Sequence, residues 1–310
     1  MNNYELMRNW PKLPSSLLLG NPTGIALDTH HNIFIFHRAN RKWPVIGSMP
    51  KDYISAKTIL ELDRNTGELL NIWGENFFIM PHGLTVDVDN NIWVTDVGLH
   101  QVFKFSHSGK LLLQLGESKV AGNDSGHFNR PTDVAVTKDG SFYVSDGYGN
   151  SRIVKFSATG KYLFEWGKKG DRDGEFNLPH AVDLDEKENV YVADRENNRV
   201  QVFDSTGKFI TAWKRNDFGK ISSVVFDKIT KGFVAVDFST AWFGLKHNGS
   251  DIILFDSAGN VTDKFGKNLL KKEGVKCWYH NVVIDDQGDI YVTDILGNTI
   301  QKFRKLGTVK

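Results

Sequence analysis

Cysteine is all but missing. Cys277 is the only one in 310 residues, so no internal disulfide can form, which suits a reducing compartment. No charge of one sign prevails either: 38 Lys+Arg stand against 37 Asp+Glu, a net of +1. Without a basic field, a phosphate backbone is a poor partner, so nucleic acid is disfavoured. Long hydrophobic runs are lacking too. Nowhere do 18 apolar residues follow one another, and the opening MNNYELMRNWPKLP holds no apolar stretch fit for a signal peptide. The expectation is a soluble, cytoplasmic protein that engages no membrane and acts as a monomer. No linker, Pro/Ser-rich segment or charged tail marks a boundary, so 1–310 reads as a single domain. A Walker loop, H-E-x-x-H and G-x-S-x-G are all absent.

What is present is a core-forming content of 40% hydrophobic residues and an internal repeat. Its units begin PTGIALDTHHNIFIFHR at Pro22, PHGLTVDVDNNIWVTD at Pro81 and PTDVAVTKDGSFYVSD at Pro131. They continue PHAVDLDEKENVYVAD at Pro179, ISSVVFDKITKGFVAVD at Ile221 and YHNVVIDDQGDIYVTD at Tyr279. Each unit opens with alternating apolar residues, a strand with period two. A polar turn such as Asp89-Asn90-Asn91 leads to a second strand rich in β-branched and aromatic residues. A third strand (HQVFKF, SRIVKF, NRVQVF), a Gly turn and a fourth strand ending near Trp-Gly complete the unit. Antiparallel four-strand units repeated six times predict an all-β, six-bladed β-propeller. The last unit stops after its third strand, so residues 1–21 are read as lead-in, with Tyr4–Trp10 closing the ring.

The first strand of every blade lines the channel, so equivalent residues converge on the axis. The second slot of the units reads Thr23, His82, Thr132, His180, Ser222, His280. A lone histidine there would be read as a cap on neighbouring backbone. Three in alternate blades form a tripod suited to zinc, which takes imidazole nitrogen and in catalytic sites leaves a fourth position open. A second register, Asp96, Asp146, Asp194, Asp237 and Asp294, ends the second strands and is read as structural, accepting backbone N–H groups in the turns.

Blade 1 breaks that register with His37-Arg38, and blade 3 follows its Asp with Gly147-Tyr148-Gly149. Departures from a repeat are where function is grafted. Arg38 supplies a fixed cation for a carboxylate, and Tyr148 a phenol between permissive glycines. Arg195 is a weaker second cation, with Glu196 able to pair with it. Cys277 reads as a small buried hydrophobe.

The units resemble NHL repeats, and the chain from Pro22 to Phe303 resembles the peptidyl-α-hydroxyglycine α-amidating lyase family. The resemblance rests on IFIFHR at Ile33–Arg38, WGENFFIMPHGLTVDVDNNIWVTDVGLHQVFKF at Trp73–Phe105, PTDVAV and FYVSDGYGNSRIVKF within Pro131–Phe156, and GEFNLPHAVDLDEKENVYVADRENNRVQVF at Gly174–Phe203. It implies zinc on His82, His180 and His280, a carboxylate-binding Arg38, a catalytic Tyr148 and a further active-site Arg195. The reaction implied is cleavage of the N–Cα bond of a C-terminal α-hydroxyglycine on a peptide or smaller substrate, giving an amide and glyoxylate. The family's structural calcium would fall on backbone at Pro22 and Leu84 and on the side chain of residue 281. Here that residue is Asn281 rather than Asp, a weaker ligand for a hard cation. Two other readings stand beside the lyase: a non-catalytic NHL scaffold for protein or peptide ligands, and a metal-dependent hydrolase such as a lactonase. The lactonase reading suffers from ligand type, because those sites use carboxylate and amide oxygens rather than imidazoles.

Overall fold

The computed structural model describes residues 3–44, 48–214, 218–241, 246–266 and 277–307. It is all-β apart from one short 3-10 turn at Arg195–Asn197 among the described residues. The strands form six antiparallel sheets, which follow the chain outward from their first strand except that the sixth is completed by the N-terminal strand. Blade 2 shows the pattern, with Pro81–Val86, Ile92–Asp96, Gln101–Phe105 and Leu111–Leu115 in order. Its second strand is buried throughout, because both faces lie against neighbouring blades, and it accordingly opens with the unbroken apolar run Ile92-Trp93-Val94. Its fourth strand is the most exposed, at the rim.

Aromatic side chains fill the seams between blades. The rings of Trp93 and Phe142 lie 4.5 Å apart across blades 2 and 3, and those of Tyr191 and Phe233 4.0 Å apart across blades 4 and 5. Burying such rings on both faces of a sheet contributes most of the cohesion between sheets that share no hydrogen-bond ladder.

The N-terminal strand closes the ring as expected, but it is shorter. Tyr4–Leu6 pairs with the last strand, Tyr4 opposite Lys305 and Leu6 opposite Phe303. Tyr4 also stacks on Phe265 of blade 5, with centroids 4.7 Å apart. The pairing ends there because the chain turns inward: Trp10 precedes a cis bond to Pro11, rests 5.2 Å from the ring of Tyr291 and donates its indole N–H to the Arg64 carbonyl. Blade 5 departs from four strands, since Lys246–Gly249 adds a short fifth piece against Gly232–Ala241.

The Asp register has the structural role expected of it. Asp96 accepts N–H bonds from Ile79 and Met80 before its blade and from Gly98 and Leu99 after it. In blades 2 to 6 such a buried carboxylate ties the entry loop to the backbone or side chains that follow the second strand.

Candidate metal and active site

In five blades the ladder between the first two strands slips at the second slot: between Pro22 and Gly24, Pro81 and Leu84, Pro179 and Ala181, Ile221 and Ser223, and Tyr279 and Asn281. A residue at a bulge is released from ladder geometry and its side chain is re-aimed. This irregularity turns His82, His180 and His280 toward the axis.

The three rings meet there, with centroids 4.7, 4.7 and 4.8 Å apart, and their nearest nitrogens lie within 4.8 Å of one another. Each Nδ1 is held by a backbone carbonyl of the next blade. His82 reaches Thr132 O at 2.7 Å, His180 reaches Ser222 O at 2.6 Å, and His280 reaches Thr23 O at 2.7 Å. A carbonyl only accepts, so each Nδ1 carries the proton and each Nε2 keeps its lone pair. The intervening slots, Thr132, Ser222 and Thr23, supply the backbone carbonyls that orient the imidazoles. Their own hydroxyls bond elsewhere where they bond at all, as Thr132 does to Pro179 O at 2.9 Å.

Burial first, then neighbouring positive charge, keeps the rings neutral. His280 is pushed down to about 3, with Arg38 the largest charged contributor. His82 and His180 are driven well below the ordinary imidazole value, also by burial and then by the other imidazoles and by Arg38 or Arg195. Three converging nitrogens, left with free lone pairs by the carbonyls that hold each Nδ1, fit a divalent cation of the zinc type.

Tyr148 completes this centre. Its Oη lies 3.1 Å from His82 Nε2 and 3.1 Å from His180 Nε2. Arg195 points Nη1 at the same oxygen from 3.4 Å, with its guanidinium 5.4 Å from the Tyr148 ring. Arg195 is steadied by Glu196 at 3.1 Å, which in turn pairs with Lys220 of blade 5. Gly147 and Gly149 make the approach possible: a Cβ on Gly147 would lie 1.9 Å from Pro179 O, and one on Gly149 2.1 Å from the Asn129 amide.

Arg38 is 2% exposed and donates Nε–H to Pro81 O at 2.9 Å, while its Nη2 has no partner among the described residues. Burial lowers it to about 10, countered by Tyr148 and Asp96. It is therefore still a cation at neutral pH, and its buried donor without an acceptor is costly until an anion arrives.

Two features of the site have no counterpart in the repeat reading. Trp43, in the long connection of blade 1, packs its ring 4.8 Å from Tyr148 and 5.1 Å from the Arg38 guanidinium. Phe238 lies 5.7 Å from the Arg195 guanidinium and 4.6 Å from Trp278, making an aromatic wall on the other side. The length of the blade 1 connection is the one signal in the sequence for Trp43.

The residues matched to calcium do not suit it. Asn281 Oδ1 already accepts from Ser223 Oγ at 2.9 Å and from the Val282 N–H at 2.7 Å. Both donors would have to be displaced from a neutral oxygen, a poor ligand for a hard cation. Cys277 is buried, its thiol pushed up to about 11 chiefly by burial, and its Sγ faces Ser250 O. It belongs to the core. At the other end of the channel is a separate cavity of about 530 Å³, whose lining includes Asp133, Ser223 and Asn281 but not His82, His180 or His280.

The ring of six blades and the sequence pattern define an NHL-repeat β-propeller: the NHL repeat model matches residues 78–105, 128–156 and 176–203. The chain is 38% identical to peptidylglycine alpha-amidating monooxygenase of Rattus norvegicus over 313 residues, 95% of this chain and 31% of that protein. It is 35% identical to peptidyl-alpha-hydroxyglycine alpha-amidating lyase 1 of Drosophila melanogaster over 330 residues, 97% of this chain and 60% of that protein. The chain thus spans about a third of the first relative's length and three-fifths of the second's. Among solved structures it is similar in fold to a catalytically inactive virginiamycin B lyase from Staphylococcus aureus, with TM-score 0.61 at 15% identity, covering 99% of this chain and 90% of that one. Over nearly its whole length the chain is thus similar to proteins named as peptidyl-α-hydroxyglycine α-amidating lyases and peptidylglycine α-amidating monooxygenases. No helix among the described residues is long and apolar enough to cross a membrane.

Proposed function

We propose that this chain is a zinc-dependent lyase that cleaves the N–Cα bond of a peptidyl-α-hydroxyglycine or a smaller carbinolamide of that type, releasing an amide and glyoxylate. The observation that carries the reading is the position of Tyr148 Oη, 3.1 Å from two of the three converging Nε2 atoms. A phenol is thus fixed beside the place that a substrate hydroxyl on the tripod would take. Zinc on His82, His180 and His280 would supply Lewis acidity toward that hydroxyl.

The chain's own groups account for the rest. Arg38 takes the substrate carboxylate, the anion that its unpaired Nη2 lacks. Tyr148 Oη removes the hydroxyl proton. The released electron pair forms the carbonyl of glyoxylate, and the N–Cα pair departs on the amide nitrogen. The side chain enters as phenolate, so the proton it took then passes to that nitrogen and the phenolate is restored. Arg195, 3.4 Å from the phenolic oxygen, places a fixed cation where negative charge collects during the reaction. Trp43 and Phe238 keep water away from both guanidinium groups, which strengthens their hold on charge.

The test is elemental analysis of protein prepared without chelator, paired with a glyoxylate assay on an α-hydroxyglycine peptide. The tripod should hold about one zinc, and His180→Ala should lose that zinc together with glyoxylate release. Full turnover in His180→Ala would overturn the proposal.

A further inference from the structure

A second cluster lies away from the axis, at the seam of blades 1 and 2. Asp28 sits in the first hairpin of blade 1, Glu61 on its third strand Ile59–Leu62, and His107 in the outer turn of blade 2. His107 Nε2 is 3.4 Å from Asp28 Oδ2 and 3.5 Å from Glu61 Oε1, and His30 Nδ1 is 3.7 Å from Asp28 Oδ2. The Asp28 and Glu61 side chains are 0% and 7% exposed, whereas that of His107 is 41% exposed.

Comparison with the equivalent places in other blades shows what is unusual. In blade 2, Asp87 Oδ2 accepts the indole N–H of Trp93 at 2.9 Å and meets Lys104 Nζ at 3.1 Å. In blade 6, Asp285 Oδ2 accepts the Tyr291 hydroxyl at 2.9 Å, and Arg64 from the next blade's outer turn lies 3.5 Å away. Lys104 and Lys302 stand cross-strand from Trp93 and Tyr291. Blade 1 changes every one of these partners. The aromatic is Phe34, which has nothing to donate, and its cross-strand neighbour is Glu61 instead of a lysine. The outer-turn residue facing the seam is His107 where blade 1 itself offers Arg64 to blade 6. Two fixed cations and one neutral donor have thus been replaced by a carboxylate, an imidazole and a hydrocarbon ring.

What remains is a pair of buried carboxyl groups whose side-chain donors are the Asn32 amide, at 3.3 Å from Asp28 Oδ2 and 3.1 Å from Glu61 Oε1, and the histidines. Burial raises the Glu61 carboxyl, and the Asp28 charge adds to this, while His107 and Asn32 oppose it. Asp28 Oδ1 is occupied by the His30 and Asn32 N–H groups, which leaves Oδ2 directed into the cluster. Phe34 meets the His107 ring edge-on at 5.3 Å and fixes its tilt. Donors around a tetrahedral ion with bonds of about 2.0–2.1 Å stand about 3.3–3.4 Å apart, and the two separations at His107 Nε2 are close to that edge.

We infer that Asp28, Glu61 and His107 form a second divalent-cation site, of the zinc class, that joins blade 1 to blade 2. Mixed imidazole and carboxylate donors suit zinc and its neighbours in the first transition row better than calcium or magnesium. His30 stands by as a fourth ligand from the solvent side. The site is distant in role from the tripod, since none of its residues contacts Tyr148, Arg38 or Arg195 among the described interactions.

The experiment is equilibrium dialysis of the full chain against zinc, with elemental analysis, in four forms: unaltered, Glu61→Gln, His107→Ser and His180→Ala. Serine is what blade 4 carries at the equivalent of residue 107, at Ser205. The unaltered chain should bind about one equivalent more than Glu61→Gln or His107→Ser, and His180→Ala should retain about one. Glyoxylate release should be the same in Glu61→Gln and His107→Ser as in the unaltered chain. Equal zinc content in the unaltered chain and the two seam variants would overturn the inference, leaving a plain imidazole–carboxylate contact. Should both seam variants fail to fold, a zinc-free His180→Ala overturns it alone. Failure of the lyase proposal would instead show as absent turnover with this stoichiometry intact.

Discussion

The Nδ1 of His280 lies 2.7 Å from the carbonyl oxygen of Thr23, across the seam where the last blade meets the first. One candidate ligand of the tripod is therefore oriented by the opposite end of the chain, and the integrity of ring closure bears directly on the site.

Tyr4→Ala tests that dependence. Tyr4 is buried, paired opposite Lys305 and stacked on Phe265. Removing a buried aromatic costs about 3–5 kcal/mol, so a drop in melting temperature on the order of 10 °C is expected in a thermal scan. Zinc affinity should weaken with it, because Tyr4 belongs to the strand that completes blade 6, the blade that carries His280. Unchanged melting would mean that the N-terminal strand does not hold the ring shut.

Tyr148→Phe separates chemistry from assembly. The variant keeps the ring against Trp43 and loses only the hydroxyl placed 3.1 Å from two imidazoles. Turnover should fall by about 10²–10⁴-fold, the usual contribution of a positioned proton acceptor, with metal content preserved. Activity within a few-fold of the unaltered chain would remove Tyr148 from the proposed role.

Arg38→Lys probes carboxylate recognition. A lysine offers a point charge on a flexible stem and cannot reproduce a guanidinium fork. A rise in KM with a fall in kcat/KM of about 10²-fold is expected, matching loss of a buried charge-assisted pair of about 2–5 kcal/mol. The methyl ester of the substrate should be poor for the unaltered chain and no worse for the variant. If the variant discriminates acid from ester as well as before, the carboxylate is bound elsewhere.

Asp133→Asn predicts a pH dependence of stability. Asp133 is buried in the far cavity, its Oδ1 is unpartnered, and burial raises its carboxyl from 3.8 to about 8. A folded value above the unfolded one gives stability that is complete below pH 3.8 and lost as pH rises through about 8. The melting temperature of Asp133→Asn relative to the unaltered chain should therefore climb between those limits. Parallel profiles would show that the carboxyl ionises freely in the fold.

Much of this is visible in the repeat. Equivalent slots of a propeller converge, so the spacing of His82, His180 and His280 is enough to place them on one axis, and the breaks at Arg38 and Tyr148 mark their neighbours. The carbonyls that hold each Nδ1 are not visible, because a backbone oxygen leaves no trace in residue identity. Trp43 lies in a connection with no equivalent in other blades, so no register can locate it. The closing strand is shorter than its sequence suggests, since the aromatic at Trp10 resembles a strand end but instead turns in to meet Tyr291. The engagement of Asn281 by Ser223 joins residues 58 apart in sequence and emerges only from packing.

The imidazoles of blades 2, 4 and 6 each lean on a peptide group of blades 3, 5 and 1. An ion drawn up by the histidines would consequently pull on the whole annulus at its hub, as a spoke nut tightens a wheel. Stripping the ion would then loosen every wedge together, and protease nicks should spread around the perimeter instead of gathering at one loop.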